Sequence, residues 1–471
     1  MRKYAFVGLP LLFVAAAVFI LVSCSGSGSS SKQATVQVSL SDPSTCSAPQ
    51  GPFTHIYVTV TDVLIHQSAT ASASDAGWVD LTPNLSKNPV QVDLLGSANQ
   101  CFLAQLGSAG IQPGTYQQIR ILLGGSSVTV ANNKCASSIN CVMLTSDPMN
   151  TPQTLQLSSE SQTGIKIPSG QIAGGSFVVA AGDKKDLNLD FDACASIVTQ
   201  GNAMYRLKPV LHAGEVTLQA TSTSISGTVI DAGTTQAVAG GTTVVAIEQK
   251  DSTGVDRVVM ETVADSNGGF SFCPLPAGMY DVVISAVNGS GNVYAATVIT
   301  GVQPGNALGT VPLTPALLPA SITGTVTTST GTAATSADLS VSALQSITVN
   351  SSVVLVTVPL ASQSLATATL TTAAGSGCPP NSDCASYTLS VPAANPSVGA
   401  FMTGMTQAPA APAMGPVNYT VDAIAFVPGA AGQLNCNPSD VQTNQTSTSA
   451  PLTVVSGVSV VAAPLSFTAC N

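Results

Sequence analysis

The run His55-Ile56-Tyr57-Val58-Thr59-Val60-Thr61-Asp62-Val63-Leu64-Ile65-His66 alternates side chains along its whole length. That is the period of a β-strand with two different faces. Shorter β-branched runs recur at residues 35–40, 90–95, 117–123, 165–168, 187–192 and 205–211. Turn-forming residues separate them, among 41 glycines and 29 prolines. Disorder needs high charge and low hydrophobicity. Here charged residues are 8% and hydrophobic ones 45%. The pattern therefore predicts an all-β chain of tandem β-sandwich domains. Only residues 94–106 are expected to hold a short helix.

The N-terminus is built for export. Met1-Arg2-Lys3 is positive, residues 5–22 carry no polar or charged side chain, and Leu21-Val22-Ser23-Cys24 follows. This arrangement reads as a signal peptide over residues 1–23. Leu21-Val22-Ser23-Cys24 resembles the bacterial lipobox. The resemblance implies diacylglyceryl transfer to the Cys24 thiol, cleavage before it and acylation of the new amino terminus. Several acyl chains exceed what stable membrane anchoring requires. An uncleaved membrane-spanning anchor is the alternative, since the apolar run is about long enough to span a bilayer. Residues 24–33 are Gly/Ser-rich and read as a flexible tether. Ser25 after the cysteine, by analogy with lipoprotein sorting, favours the outer membrane. The expected partner is thus a membrane held through lipid. The net charge of −10 excludes nucleic acid as a natural partner and removes a polybasic route to anionic lipid.

Three segments follow. Residues 34–220 contain an early Asp42-Pro43 turn, a strand before Trp78, the block Asp93-Leu94-Leu95, the strand Gly114-Thr115-Tyr116-Gln117-Gln118-Ile119-Arg120 and the closing block Leu207-Lys208-Pro209. As a set these resemble a family of bacterial envelope domains known only as domain of unknown function 4382. That family has no assigned catalytic residues. Residues 223–315 carry Gly227-Thr228-Val229, Asp265-Ser266-Asn267-Gly268-Gly269-Phe270 and Leu275-Pro276-Ala277-Gly278-Met279-Tyr280-Asp281-Val282. These resemble the carboxypeptidase regulatory-like domain. The resemblance implies a transthyretin-like sandwich, related to immunoglobulin-like and carbohydrate-binding-like folds, with no peptidase activity. Residues 320–471 open on Ser321-Ile322-Thr323-Gly324-Thr325-Val326, which echoes Ser224-Ile225-Ser226-Gly227-Thr228-Val229, and read as a divergent second copy. The prolines of 312–319 read as a stiff linker.

Of 11 cysteines, Cys24 is assigned to lipid, which leaves an even number in an exported chain and implies disulfides. Cys135 with Cys141 and Cys378 with Cys384 each bracket a short polar loop. Cys46 with Cys101 and Cys436 with Cys470 fit as longer bridges. Cys194 and Cys273 either pair across a segment boundary or stay free. No C-x-x-C or Cys/His cluster of zinc type occurs, and no metal or other cofactor is expected.

Catalytic signatures are lacking. His55, His66 and His212 form no metal motif. On a regular strand, the odd separation of His55 from His66 sends them to opposite faces. Neither a G-x-S-x-G elbow nor a P-loop is present. Asp190 and Asp192 share one strand face and are the candidate cation or glycan ligands. A solvated face opposite Leu187, Leu189 and Phe191 is the plainer reading. Asp265-Ser266-Asn267-Gly268 starts like a calcium loop but reads better as a hairpin turn. Trp78, the one tryptophan, is either a glycan platform or a core or edge residue. The chain is therefore expected to be a non-catalytic envelope lipoprotein that binds carbohydrate or an envelope protein. The alternatives are a structural or adhesive stalk, and a hydrolase whose triad leaves no local signature.

Overall fold

The computed structural model describes residues 32–42, 52–96, 103–157, 160–200, 204–208, 210–216, 224–251, 253–315, 318–349, 351–404, 406–413, 415–427, 436–438, 440–443 and 451–470. The chain is all-β in them, relieved by one helical turn, Ala193–Ser196, and three short 3-10 turns. The lipidation residue Cys24 and the tether residues before Lys32 lie outside them. Cys46 lies outside the described residues, and Cys101 does too, so the bridge expected between Cys46 and Cys101 is not among those the structure describes. The expected helix at 94–106 is absent where it is described, because Ala104–Ile111 is a strand beside Ala34–Ser41.

Two sheets enclose the first core. The smaller runs Leu211–Val216, Lys184–Phe191, Ala34–Ser41, Ala104–Ile111. The larger centres on Phe53–His66, which pairs with Gln118–Leu123, Cys141–Leu144, Val79–Asp80 and Val90–Asp93. Val36, Val38 and Leu40 from one sheet meet Ile56, Val58, Val63, Ile65, Ile119 and Ile121 from the other in one buried cluster. The long strand is not regular. Its pairing with Gln118–Leu123 shifts between Val60 and Asp62, so one extra residue enters at Thr61. Such a bulge reverses the inward phase. The buried positions accordingly step from Ile56, Val58 and Val60 to Val63 and Ile65.

A three-stranded sheet, Gly269–Phe272, Ile225–Asp231, Ala307–Leu313, covers one face of the second core. Ile225, Val229, Val245, Ile247, Phe272, Tyr280, Val282 and Val311 fill it. Pro312 lies within the strand Ala307–Leu313, opposite Ile230, so the expected linker begins later than its prolines suggest. The turn at Asp265 is also not a hairpin. It carries the chain from Val255–Val263 in one sheet to Gly269–Phe272 in another. Asp265 Oδ1 accepts the backbone N–H groups of Asn267 and Gly269 (2.8 and 2.9 Å), and Gly268 takes φ +79°. The carboxylate is thereby occupied by its own turn.

The third core is closed by Asp383–Val391, Ala320–Thr328, Ser459–Val461 and Leu465–Phe467. Its buried residues include Ile322, Leu339, Val341, Leu389, Tyr419, Val421 and Phe467.

The second and third segments share an eleven-stranded sheet. The third segment supplies a strand to both free edges of the second. Ser352–Val358 runs parallel to Val255–Val263 through Val255↔Leu355 and Asp256↔Val356. Ser397–Ala400 runs parallel to Thr297–Val302 over four residue pairs, from Thr297↔Ser397 to Thr300↔Ala400. Both edges of the second segment's sheet are therefore covered. Val283, Val298, Ile347, Val354 and Val356 bury themselves together across the join.

Candidate functional site

With so few charged residues, their placement is the most informative feature of the molecule. Most of the buried ones gather where segments meet.

The closing block of the first segment reaches the third. Arg206 Nη1 donates to Asp338 Oδ2 at 2.5 Å, Arg206 Nη2 donates to Asp338 Oδ1, and Thr371 Oγ1 donates to the same oxygen at 2.8 Å. Asp338 is wholly buried. Two residues along, Lys208 Nζ donates to Ser340 Oγ (2.6 Å) and Leu339 O (3.3 Å). Burial holds the Lys208 ammonium down to about 8. The closing block marks Lys208 in the sequence, but no role for it or for Arg206 is legible there, because their partners lie more than 130 positions away.

Asp190 and Asp192 are buried, not solvated. The solvated-face reading fails because the second segment covers them. Asp42 and Asp190 line one closed space with Met260, Phe272 and Cys273. A ladder leads to it across the parallel pair. Ser39 Oγ donates to Asn188 Oδ1 (3.2 Å), Asn188 Nδ2 to Ser41 Oγ (2.7 Å), and Ser41 Oγ to Asp190 Oδ1 (2.9 Å). Asp42 Oδ1 accepts the Ala193 N–H at 2.8 Å. Burial pushes Asp42 and Asp190 well above the usual carboxylate range. Glu261 is raised by burial and then by Asp192, while its Oε2 accepts the Ala366 N–H at 2.5 Å.

A second set marks the join of the second and third segments. Glu248 Oε2 accepts the Thr357 N–H (3.1 Å), and burial raises its carboxyl. Arg257 bonds Asp251 (3.1 Å), Asp422 and Asp440. Burial raises Asp256 to about 7, where it shares a hydrogen bond with Asp281. Among the described residues no group of three or more His, Cys, Asp or Glu side chains is arranged to hold a metal ion.

Trp78 does not converge with Asp190 and Asp192, which sit at the other sheet. It is half-buried, and its Nε1 donates to Ser72 O at 2.9 Å. Its ring lies 4.3 Å from the Arg120 guanidinium and 5.1 Å from His66. His55 Nδ1 meets Asp93 Oδ2 at 2.7 Å. Because of the bulge, His55 and His66 point to the same side of their strand, contrary to the regular-strand expectation. The eleven intervening steps still keep them roughly 35 Å apart along the strand. His212 is held neutral down to about pH 4 by burial.

Of the expected disulfides, Cys135–Cys141, Cys378–Cys384 and Cys436–Cys470 are formed. The fourth expected pair is not described, since Cys46 and Cys101 both lie outside the described residues. Cys273 is disulfide-bonded as well, so the alternative in which it stays free fails. The Cys194 side chain lies outside the described residues.

An open cleft of about 260 Å³ lies by Gln345, Asn395, Asn418 and Tyr419. It is smaller than most small-molecule sites and holds no acid, base or cysteine.

No curated protein matches the chain. Solved structures give remote likenesses. The Bacillus anthracis TIE protein is 8% identical over 93% of this chain, with a TM-score of 0.15, and this chain spans about half of it (51%). A streptococcal ancillary pilin is 11% identical over 92% of this chain and 99% of its own, with a TM-score of 0.16. The minor pilin GBS52 of Streptococcus agalactiae is 11% identical over 52% of this chain and 95% of its own, with a TM-score of 0.15. Scores this low carry no functional inference. The firm match is in the first segment: residues 33–209 fit the family of the domain of unknown function DUF4382.

Proposed function

We propose that this chain is a non-catalytic envelope lipoprotein whose β segments are fused into one stiff unit serving as a structural or adhesive stalk. One observation carries the reading: the third segment adds a strand to both edges of the second segment's sheet. Domains that work as independent binding modules meet through small polar interfaces and move against one another. A shared sheet, with the half-buried Arg257 network at its join and the buried Arg206–Asp338 pair where the first segment meets the third, resists that motion. The dispersal of Trp78, Asp190 and Asp192 removes the geometry that a glycan site built from them requires. The lipobox-like Leu21-Val22-Ser23-Cys24 supplies the fixed end.

Electron microscopy of the full chain in lipid nanodiscs tests this reading. Particles are expected to show one rigid outline projecting from the disc. Outlines bending at segment boundaries, or chains unattached to discs and unlipidated at Cys24 by mass spectrometry, would overturn it.

A further inference from the structure

Arg120 is 2% exposed, and its Nε and Nη2 atoms have no hydrogen-bond partner. Those two N–H groups form the side edge of the guanidinium fork, the edge that takes a carboxylate with two parallel bonds. Lys166 stands directly opposite Arg120 across the antiparallel pair. Like charges so placed repel, yet no acid lies within ion-pair distance of either among the described residues. Asp80 shares the row across Leu64, but its Oδ1 accepts the Thr82 N–H at 2.7 Å. Asp75 acts on Lys166 only at longer range. A chain with 13 lysines and arginines places two of them side by side without a counter-charge.

The surroundings form a cover. Residues 67–78 loop over this face of the sheet. Gln118 Nε2 donates to Ala69 O (3.4 Å), Lys166 Nζ to Ala71 O (3.1 Å), and His66 Nε2 meets Ala76 O (3.0 Å). Arg120, in their midst, binds none of the loop's carbonyls and lies against the Trp78 ring. Gly77, at φ +104°, closes the loop against His66, where a Cβ would sit 2.9 Å from Nε2. Two residues before Arg120, on the same strand face, Gln118 Oε1 is a third buried atom without a partner, and it is an acceptor.

We infer that Arg120 anchors a binding site, covered by the loop 67–78, for a small carboxylate carrying a neighbouring hydroxyl group, the chemistry of a hydroxy acid or sugar acid. The carboxylate takes the Nε/Nη2 edge beside the Lys166 ammonium, and the hydroxyl donates to Gln118 Oε1. The site is independent of the joins on which the stalk reading rests.

Trp78, as the one tryptophan in contact with Arg120, reports occupancy by its own fluorescence. The full chain in detergent is titrated at constant ionic strength with sodium glucuronate, sodium acetate, glucose and inorganic phosphate. Glucuronate is expected to give a saturable change, acetate a weaker one and glucose none. Arg120→Lys keeps the charge but loses the fork, and should weaken glucuronate binding roughly ten- to hundredfold. Gln118→Leu, which leaves the guanidinium in place, should reduce glucuronate to the level of acetate. No saturable change with either carboxylate, equal responses to glucose and glucuronate, or tighter binding of phosphate than of glucuronate would overturn the proposal. Unchanged glucuronate affinity in a folded Gln118→Leu variant would also overturn it.

Discussion

Arg206 and Asp338, 132 positions apart, form a two-pronged ion pair sealed from solvent where the first segment meets the third. Thr371 Oγ1 completes the carboxylate's hydrogen bonds. A buried pair contributes little compared with apolar residues of the same shape, but breaking it strands a charge. Arg206→Met is therefore expected to cost about 3–5 kcal/mol, measured by denaturant unfolding. Arg206→Met combined with Asp338→Leu should recover most of that loss. A single variant of wild-type stability would show that the pair is not buried in solution.

Stability should fall as pH rises from about 5 to 8. Burial raises the carboxyls of Asp42, Asp190, Glu248 and Glu261, and brings Asp62 and Asp256 up to about 7. An acid with a raised folded-state pKa keeps its proton when folded and releases it on unfolding. Its contribution is complete below the unfolded pKa near 4 and is lost as pH rises through the folded value. Asp75, Asp147 and Asp231 act in the opposite sense. Hydrogen bonds from Ser72, Thr151 and Tyr294 hold them low, so their contribution is lost only as pH falls below about 4. His212, held down to about 4 by burial, loses its contribution as pH falls from about 6.5 towards that value. Thermal scans at pH 5 and 8 should give the higher Tm at pH 5. Asp256→Asn, which replaces a shared proton with an amide N–H, should shrink the difference by about 1 kcal/mol. A Tm that rises across this window contradicts the burial of these acids.

Gly268 is fixed by conformation and by space. A Cβ there would lie 2.1 Å from Val229 O, at φ +79°. Gly254 has a similar φ of +90° but nothing within 4 Å. Gly268→Ala should cost about 2 kcal/mol or more, and Gly254→Ala about 1 kcal/mol. Equal costs in denaturant unfolding would mean that the sheet-crossing turn at Asp265 is looser than described.

The sequence made the local pattern legible and the joins illegible. Alternation at residues 55–66 and the turn residues around Gly268 mark strands and turns, because those signals are confined to a few neighbours. The short bridges Cys135–Cys141 and Cys378–Cys384 were readable for the same reason. Spacing gives no such guide to distant cysteines: Cys46 and Cys101 share only a segment in the sequence, and both lie outside the described residues. The bulge at Thr61 leaves no composition signature, so alternation alone sends His55 and His66 to opposite faces when the strand places them on one. Asp190 and Asp192 look like a polar strand face until the second segment packs there, setting Met260, Phe272 and Cys273 against Asp190 and Glu261 near Asp192. Arg206, Lys208, Glu248 and Glu261 have no role legible in the sequence, since what defines them is a partner supplied by a remote part of the chain. The role of Arg120 was hidden similarly, because an unpaired fork is visible only once its surroundings are folded.

The most direct test of the fused body is differential scanning calorimetry of the full chain in detergent. One cooperative heat-absorption peak is expected, with a van't Hoff enthalpy matching the calorimetric one, and Arg206→Met should shift that whole peak downward. Two or three separable peaks, of which Arg206→Met moves only one, would show segments that fold and melt independently and would contradict the stiff stalk.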